Sequence, residues 1–346
     1  MLSYASRRLG QALLALLGLA VAVALLVTAG GHGDAAAWLT GAARLDFGRT
    51  VDGGPVTTAV AAALPATVLL VLASALIGLV AGWGGGLLLA LAEDSTPRRH
   101  GGAKNKPLSR GYGGADDTRD DRRPLSSLRI SVSPWRMFLR GLGLLADIGQ
   151  GTPTFWLGGV LVVLFSVGLG ALPPGGIVDP ALPAFGAPAY LDLWRAQPAV
   201  ALGDLLGHLA LPALTLTLAG LATRLRLVTA ALPVELGAPH TRVARAAGLS
   251  RRRVLWRAAR PALPVVVGGA AAGLAPLAGA LVLVEYLFGW PGLGLLAYHA
   301  ARAGDTATLG ALLLLFGLVV VAAGLVADLV AAWADPQLRR PHGAAP

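Results

Sequence analysis

The sequence contains no cysteine, which excludes disulfides, thiol catalysis and cysteine-ligated metal sites. Charged residues make up only 13% of the 346 residues, about half the share of a soluble domain. Of 28 basic residues only Lys104 and Lys106 are lysines, and neither lies in the Gly-Lys-Ser/Thr ending of a phosphate-binding Walker loop. Neither HExxH nor GxSxG occurs. The six histidines (His32, His100, His208, His240, His299 and His342) are scattered, mostly near loops. Asp46–Gly48 spells "DFG" without any of the context that gives that motif a role in phosphoryl transfer. With aromatics at 6%, no stacking platform accompanies the net charge of +10, so nucleic-acid binding is not expected.

What the sequence has is oil. It is 55% hydrophobic, with a mean hydropathy of +0.68, and a helix needs about 20 apolar residues to cross a bilayer. Six stretches qualify: Leu9–Ala29, Val60–Leu91, Leu142–Leu169, Leu205–Thr223, Ala262–Val284 and Thr308–Trp333. The first follows "SRRLG", as in a signal peptide, but its run is long and no clean small-residue cleavage site follows, so an uncleaved span is expected. The basic residues sort by loop. Arg7 and Arg8, eleven in 93–140, nine in 224–260, and Arg339 and Arg340 together hold 24 of the 28. The alternate loops hold only Arg44, Arg49, Arg195 and Arg302. By the positive-inside rule both termini and loops 93–140 and 224–260 are cytoplasmic.

The expected fold is therefore an all-α polytopic membrane bundle of six spans. Residues 1–30 form the first span, 31–58 an extracytoplasmic loop, and 59–92 the second span. Residues 93–140 form a cytoplasmic loop whose Gly-, Pro- and charge-rich stretch 95–130 reads as a disordered insertion. Residues 141–340 hold spans three to six, and 341–346 are a tail. Asp147, in the third span, and Glu285, just past the fifth, both fall near an interface, where solvation explains them better than a proton relay. Gly78/Gly82 and Gly269/Gly273 allow close helix approach. Pro276, flanked by Gly273 and Gly279, predicts a kink in span five, which fits either a helix lining a pathway or ordinary packing.

One segment stands apart: "HTRVARAAGLSRRRVLWRAARPALP", residues 240–264. Pro239 suits the first turn of a helix and Gly248 the left-handed residue after its end. A short helix over His240–Ala247 is expected, small-residued and projecting into the cytoplasm, suited to a groove on another protein. Ser250 is placed to cap a second helix. On that helix Val254, Leu255, Ala258 and Ala259 share one face, with Arg253, Arg257 and Arg260 on the other, toward headgroups.

This segment, with "ARAAGLSRRRVLWR" at its heart, resembles the cytoplasmic loop of binding-protein-dependent ABC transporter permeases, and most closely the B-type subunit of dipeptide/oligopeptide importers. Other segments agree in the same order: "SRRLGQALLALLGLAV", "LDFGRT…PVTTAVAAALPATVLLV", "GTPTFWLGGVLVVLFSVGLGALPPGG", "HLALPALTLTLAGLATRLRLV", "VEYLFGWPGLGLL" and "DLVAAWADPQLR". The glutamate-alanine-alanine of the wider superfamily stands here as Ala244-Arg245-Ala246. The resemblance implies a pore shared with a homologous second permease, two cytoplasmic ATPase subunits and an extracytoplasmic binding protein. This chain would not be an enzyme and would bind no cofactor, with ATP and magnesium on the ATPases. It would make Thr241, Arg242, Val243, Ala244, Arg245, Ala246, Ala247, Gly248 and Leu249 the ATPase-coupling helix. Glu285, Phe288, Trp290, Pro291, Gly292 and Gly294 would be an outer-gate or binding-protein-facing segment, with Trp290 at the membrane interface. Pro276, Gly273 and Gly279 remain the candidates for lining the pathway. An ATP-independent secondary transporter or channel is the alternative. It predicts a buried ion-coupling cluster and inverted repeats, and neither is visible. An intramembrane enzyme lacks any catalytic pair within the spans.

Overall fold

A computed structural model of the chain describes residues 2–29, 34–88 and 134–334. The expected insertion at 95–130, Arg339, Arg340 and the tail 341–346 lie outside the described residues.

Helix α1 (Leu2–Ala29) carries no proline and runs unbroken. The expected extracytoplasmic loop is not all loop. Asp34 caps a short α2 (Ala35–Ala43) by accepting from the Ala36 N–H at 3.3 Å. A tight turn then pairs Arg49 with Pro55. Helix α3 (Val56–Gly78) starts within the stretch read as loop, because Pro55 holds the extended conformation that precedes a helix. It continues through a π-helical stretch, Leu79–Gly84, to Leu88.

The third expected span is divided. Helix α4 (Pro134–Gly151) ends one residue before Thr152-Pro153, and α5 (Thr154–Leu161) follows, extended by a π-helical stretch to Gly168. Pro153 has no N–H to continue the ladder and disfavours helical geometry at Thr152. Apolar composition ran across this break and concealed it. Helix α6 (Pro188–Ala196) then leads into α7 (Pro198–Leu236). At 39 residues, α7 is about 58 Å long, nearly twice the hydrocarbon thickness. The expected span Leu205–Thr223 is thus only its middle, and Arg224 and Arg226 stand on a helix rather than in a loop.

Helix α8 (Pro239–Ala246) is the short element expected from the arginine segment, with Gly248 left-handed at φ +73°. Helix α9 (Arg251–Ala272) begins after Ser250, whose side chain makes no capping bond, contrary to expectation. It is also one helix where an interfacial helix and a separate span were expected: Pro261 and Pro264 each remove a backbone bond without ending it. The bend falls at Gly273, where α10 (Leu274–Phe288) leaves at 42°. Pro276, in the first turn of α10, would drive its ring into the Ala272 carbonyl if the helix ran straight. Helix α11 (Leu293–Ala303) and α12 (Thr306–Ala334) complete the chain.

By length and composition four single helices suffice to cross a bilayer, Tyr4–Ala29, Val56–Leu88, Pro198–Leu236 and Thr306–Ala334, and the bent pair α9–α10 supplies a fifth. The described residues contain no strand. The core gathers on the middle of α7: Leu211 and Leu216 pack with Leu70 of α3, Leu161 of α5 and Leu281, Val284 and Phe288 of α10. Arg8 reaches Asp328 at 3.4 Å, and the Arg260 guanidinium lies over the Trp333 ring at 5.0 Å. The start of α1, the end of α12, the start of α9 and α8 therefore share one end. That end holds the arginines and is cytoplasmic. At the opposite end Asp305 accepts from the Val51 N–H at 3.2 Å, and the Gly176 N–H donates to the Phe288 carbonyl at 2.7 Å.

Candidate functional site: an exposed cytoplasmic helix and a buried turn

Helix α8 is fastened to the end of α7. The Thr241 hydroxyl donates to the Glu235 carbonyl at 2.8 Å, and Arg242 Nε donates to the Gly237 carbonyl at 3.0 Å. These are carbonyls left over at the C-terminus of α7, where a cation is favoured. Thr241 and Ala244 face inward and are buried. Arg242, Val243, Arg245, Ala246, Ala247 and Gly248 face outward, with Val243 68% exposed and Leu249 half-buried beneath them. Past Gly248, Ala258 of α9 buries against Leu232 and Leu236 with Leu255 beside it, and Val254 is buried too, on the face that the sequence pattern predicted. Arg253 and Arg257 are exposed; Arg260, read as facing headgroups, is also held against Trp333.

The Glu285–Gly294 turn is built the opposite way. Glu285 is fully buried, not solvated at an interface. Its carboxylate accepts from the Thr67 hydroxyl at 2.7 Å, from the Gly294 N–H at 2.6 Å and from the Leu295 N–H at 3.1 Å. Thr67 in turn accepts from the Leu293 N–H at 2.7 Å. Four groups at the N-terminus of α11 and on α3 are thus satisfied around one negative charge, where the helix dipole favours it. The chain can turn there because Gly289 takes φ +60° and the Trp290 N–H closes the end of α10 on the Glu285 carbonyl at 2.8 Å. A side chain on Gly292 would collide with the carboxylate, and one on Gly294 with Val282 and the same carboxylate. Trp290 is fully buried, its Nε1–H donating to the Ala66 carbonyl at 2.8 Å; it is inside the protein rather than at the membrane interface. Phe288 is buried as well, and only Gly289 and Pro291 of the turn are exposed beyond Tyr286 and Leu287.

Gly273, Pro276 and Gly279 lie three residues apart along one exposed face at the bend of α9–α10. The other small-residue pairs serve packing: Gly269 gives Leu227 room to approach, and Gly78 and Gly82 accommodate Arg224.

The stretch from 133 to 340, which includes both sites, matches the family described as the binding-protein-dependent transport system inner membrane component. The chain belongs to that family.

The permease is similar along most of its length to individual members. It is 30% identical over 314 residues to the oligopeptide transport system permease protein OppB of Mycobacterium tuberculosis, spanning 87% of this chain and 78% of the relative. It is 28% identical over 304 residues to the oligopeptide transport system permease protein AppB of Bacillus subtilis, with the same coverage of 87% and 78%. It is 31% identical over 218 residues to the di/tripeptide transport system permease protein DppB of Pseudomonas aeruginosa, covering 62% of this chain and 65% of that one. The permease is accordingly a multi-pass inner-membrane component of a transport system. Sequence reading missed the role of Thr67, because no local pattern announces a bond to a residue 218 positions away. The only available signal was that "ALPATV" and "VEYLFGWPGLG" both belong to the resembling segments.

Proposed function

We propose that this chain is the permease subunit of a peptide-importing ABC transporter. It forms half of a translocation pathway, and a homologous second permease forms the other half. Two cytoplasmic ATPase subunits carry ATP and magnesium, and an extracytoplasmic binding protein delivers the peptide. This chain contributes neither nucleotide chemistry nor a metal site. The similarity to oligopeptide and di/tripeptide permeases supports the substrate class.

The observation that carries the reading is the outward face of α8. A helix at the cytoplasmic end exposes Val243, Ala246 and Ala247, small enough to enter a cleft, while Thr241 and Arg242 bolt it to a 39-residue helix through the core. Closure of the ATPase pair displaces α8, and because its bonds run to α7, the displacement enters the span that every core helix touches. The exposed face of Gly273, Pro276 and Gly279 then faces the pathway. The Glu285–Gly294 turn supports the outer gate by holding α11 against α3.

The test is co-purification. Ala246→Glu puts a charge on the exposed face, and Gly248→Asp adds one at the left-handed position. Both variants are expected to insert at wild-type level but to lose the ATPase subunits and transport. Normal assembly and transport by either variant contradicts the coupling role of α8.

A further inference from the structure

Arg224 differs from the other arginines of the permease. Arg226, two residues on, pairs with Asp147 at 2.7 Å, Arg8 with Asp328 and Arg195 with Asp192. Arg224 is half-buried between α7 and α3, and among the described residues no carboxylate reaches it. Its one bond is a long one, from Nη1 to the Thr217 carbonyl at 3.4 Å. The guanidinium is bedded on helix backbone: a Cβ would stand 2.7 Å from Nη1 at Gly78 and 3.1 Å from it at Gly220. Its Nη2 edge is left without a partner.

The direction of the side chain decides what it waits for. Gly78 is about 33 Å along α3 from Val56, close to the cytoplasmic edge of a hydrocarbon layer about 30 Å thick. An arginine at that depth ordinarily turns its head outward to the nearer headgroups. Here the stem lies at Gly82, on the cytoplasmic side, and the guanidinium lies at Gly78 and Gly220, toward the membrane centre. The polar groups beyond it are on the same side: Thr217, whose hydroxyl donates to the Ser74 carbonyl at 3.1 Å, one turn before the end of α3. A cation carried away from the headgroups, held by one long bond to a carbonyl and without a carboxylate beside it, is one that an anion inside the protein can pair with.

We propose that Arg224 is a carboxylate-binding station at the inner end of the pathway, taking the C-terminal carboxylate of the transported peptide through the open edge of its guanidinium. This rests on the peptide-importer reading above. Guanidinium and carboxylate meet edge to edge through two parallel hydrogen bonds, and the missing side chains at Gly78 and Gly220 let the guanidinium lie directly on the two helix backbones.

The experiment measures binding of trialanine and of trialanine amide to the nucleotide-free transporter, reconstituted with its second permease and ATPases in nanodiscs. Wild type is expected to bind the free acid about tenfold more tightly than the amide, the difference a charge-assisted bond supplies. Arg224→Gln is expected to bind both at the amide's affinity, with the ATPases still attached, and Arg224→Lys to keep part of the preference. Equal binding of acid and amide by wild type overturns the proposal, as does a preference that survives in Arg224→Gln. So does a preference that appears or vanishes when anionic lipid is exchanged for zwitterionic lipid, which assigns the guanidinium to a headgroup. Uptake of trialanine by the complete transporter with its binding protein is followed in parallel. Its absence in wild type refutes the peptide reading itself, whereas uptake without discrimination refutes only the station.

Discussion

The segments Pro239–Leu249 and Glu285–Leu295 are written in the same local language, glycine and proline around a helix end, and they serve opposite purposes. In the first, only Thr241 and Ala244 are buried, and the remaining side chains of the helix face outward. In the second, Glu285, Phe288, Trp290, Gly292, Leu293 and Gly294 are all turned inward, and the hydrogen bonds close on one another. Both segments place a charged side chain near a helix terminus: Arg242 on the carbonyls that end α7, Glu285 on the N–H groups that begin α11. The arginine is exposed and mainly secures the joint. The glutamate is buried and holds three helices together. Strong local sequence constraint therefore marks a residue that matters, and burial decides whether it matters to the fold or to a partner.

The comparison breaks if the two sites respond alike to substitution. Glu285→Ala strands the Thr67 hydroxyl and two N–H groups in a dry site, and is expected to destabilise the purified permease by at least about 3 kcal/mol, read as a lowered thermal midpoint or failure to accumulate. Thr67→Val keeps the volume but removes one donor and one acceptor, costing about 2 kcal/mol. A midpoint unchanged in Thr67→Val shows that the network contributes little. On the other side of the comparison, Ala246→Glu is expected to shift stability by less than about 0.5 kcal/mol, the usual range for exposed positions. A large loss of stability there shows that α8 is part of the core rather than a handle.

The exposed site was the more legible of the two in the sequence. Pro239 and Gly248 each demand a particular backbone geometry, so the short helix between them follows from chemistry local to ten residues, and the arginine distribution sets its side of the membrane. The buried site was not legible, because its meaning lies in Thr67 meeting Leu293 and Glu285 across more than two hundred residues of chain. Composition likewise misjudged span lengths. It ran through the break at Pro153, where a single missing N–H ends a helix, and it stopped α7 at Arg224, where the helix in fact continues for another twelve residues to Leu236. The kink at Pro276 was foreseen; its location at Gly273 follows from the carbonyl four residues upstream of the proline. The resemblance over seven segments carried the family assignment, and the match over 133–340 agrees with it.

The absence of cysteine makes the most direct test of α8 simple. Val243→Cys gives the chain a single thiol on an exposed apolar position of α8. In membranes holding the complete transporter, a short bifunctional thiol reagent is predicted to link it to an ATPase subunit, with a yield that changes when nucleotide is added. A thiol that forms no product with the ATPase, and that is freely labelled by a water-soluble maleimide in the assembled complex, contradicts the assignment of α8 as the coupling element.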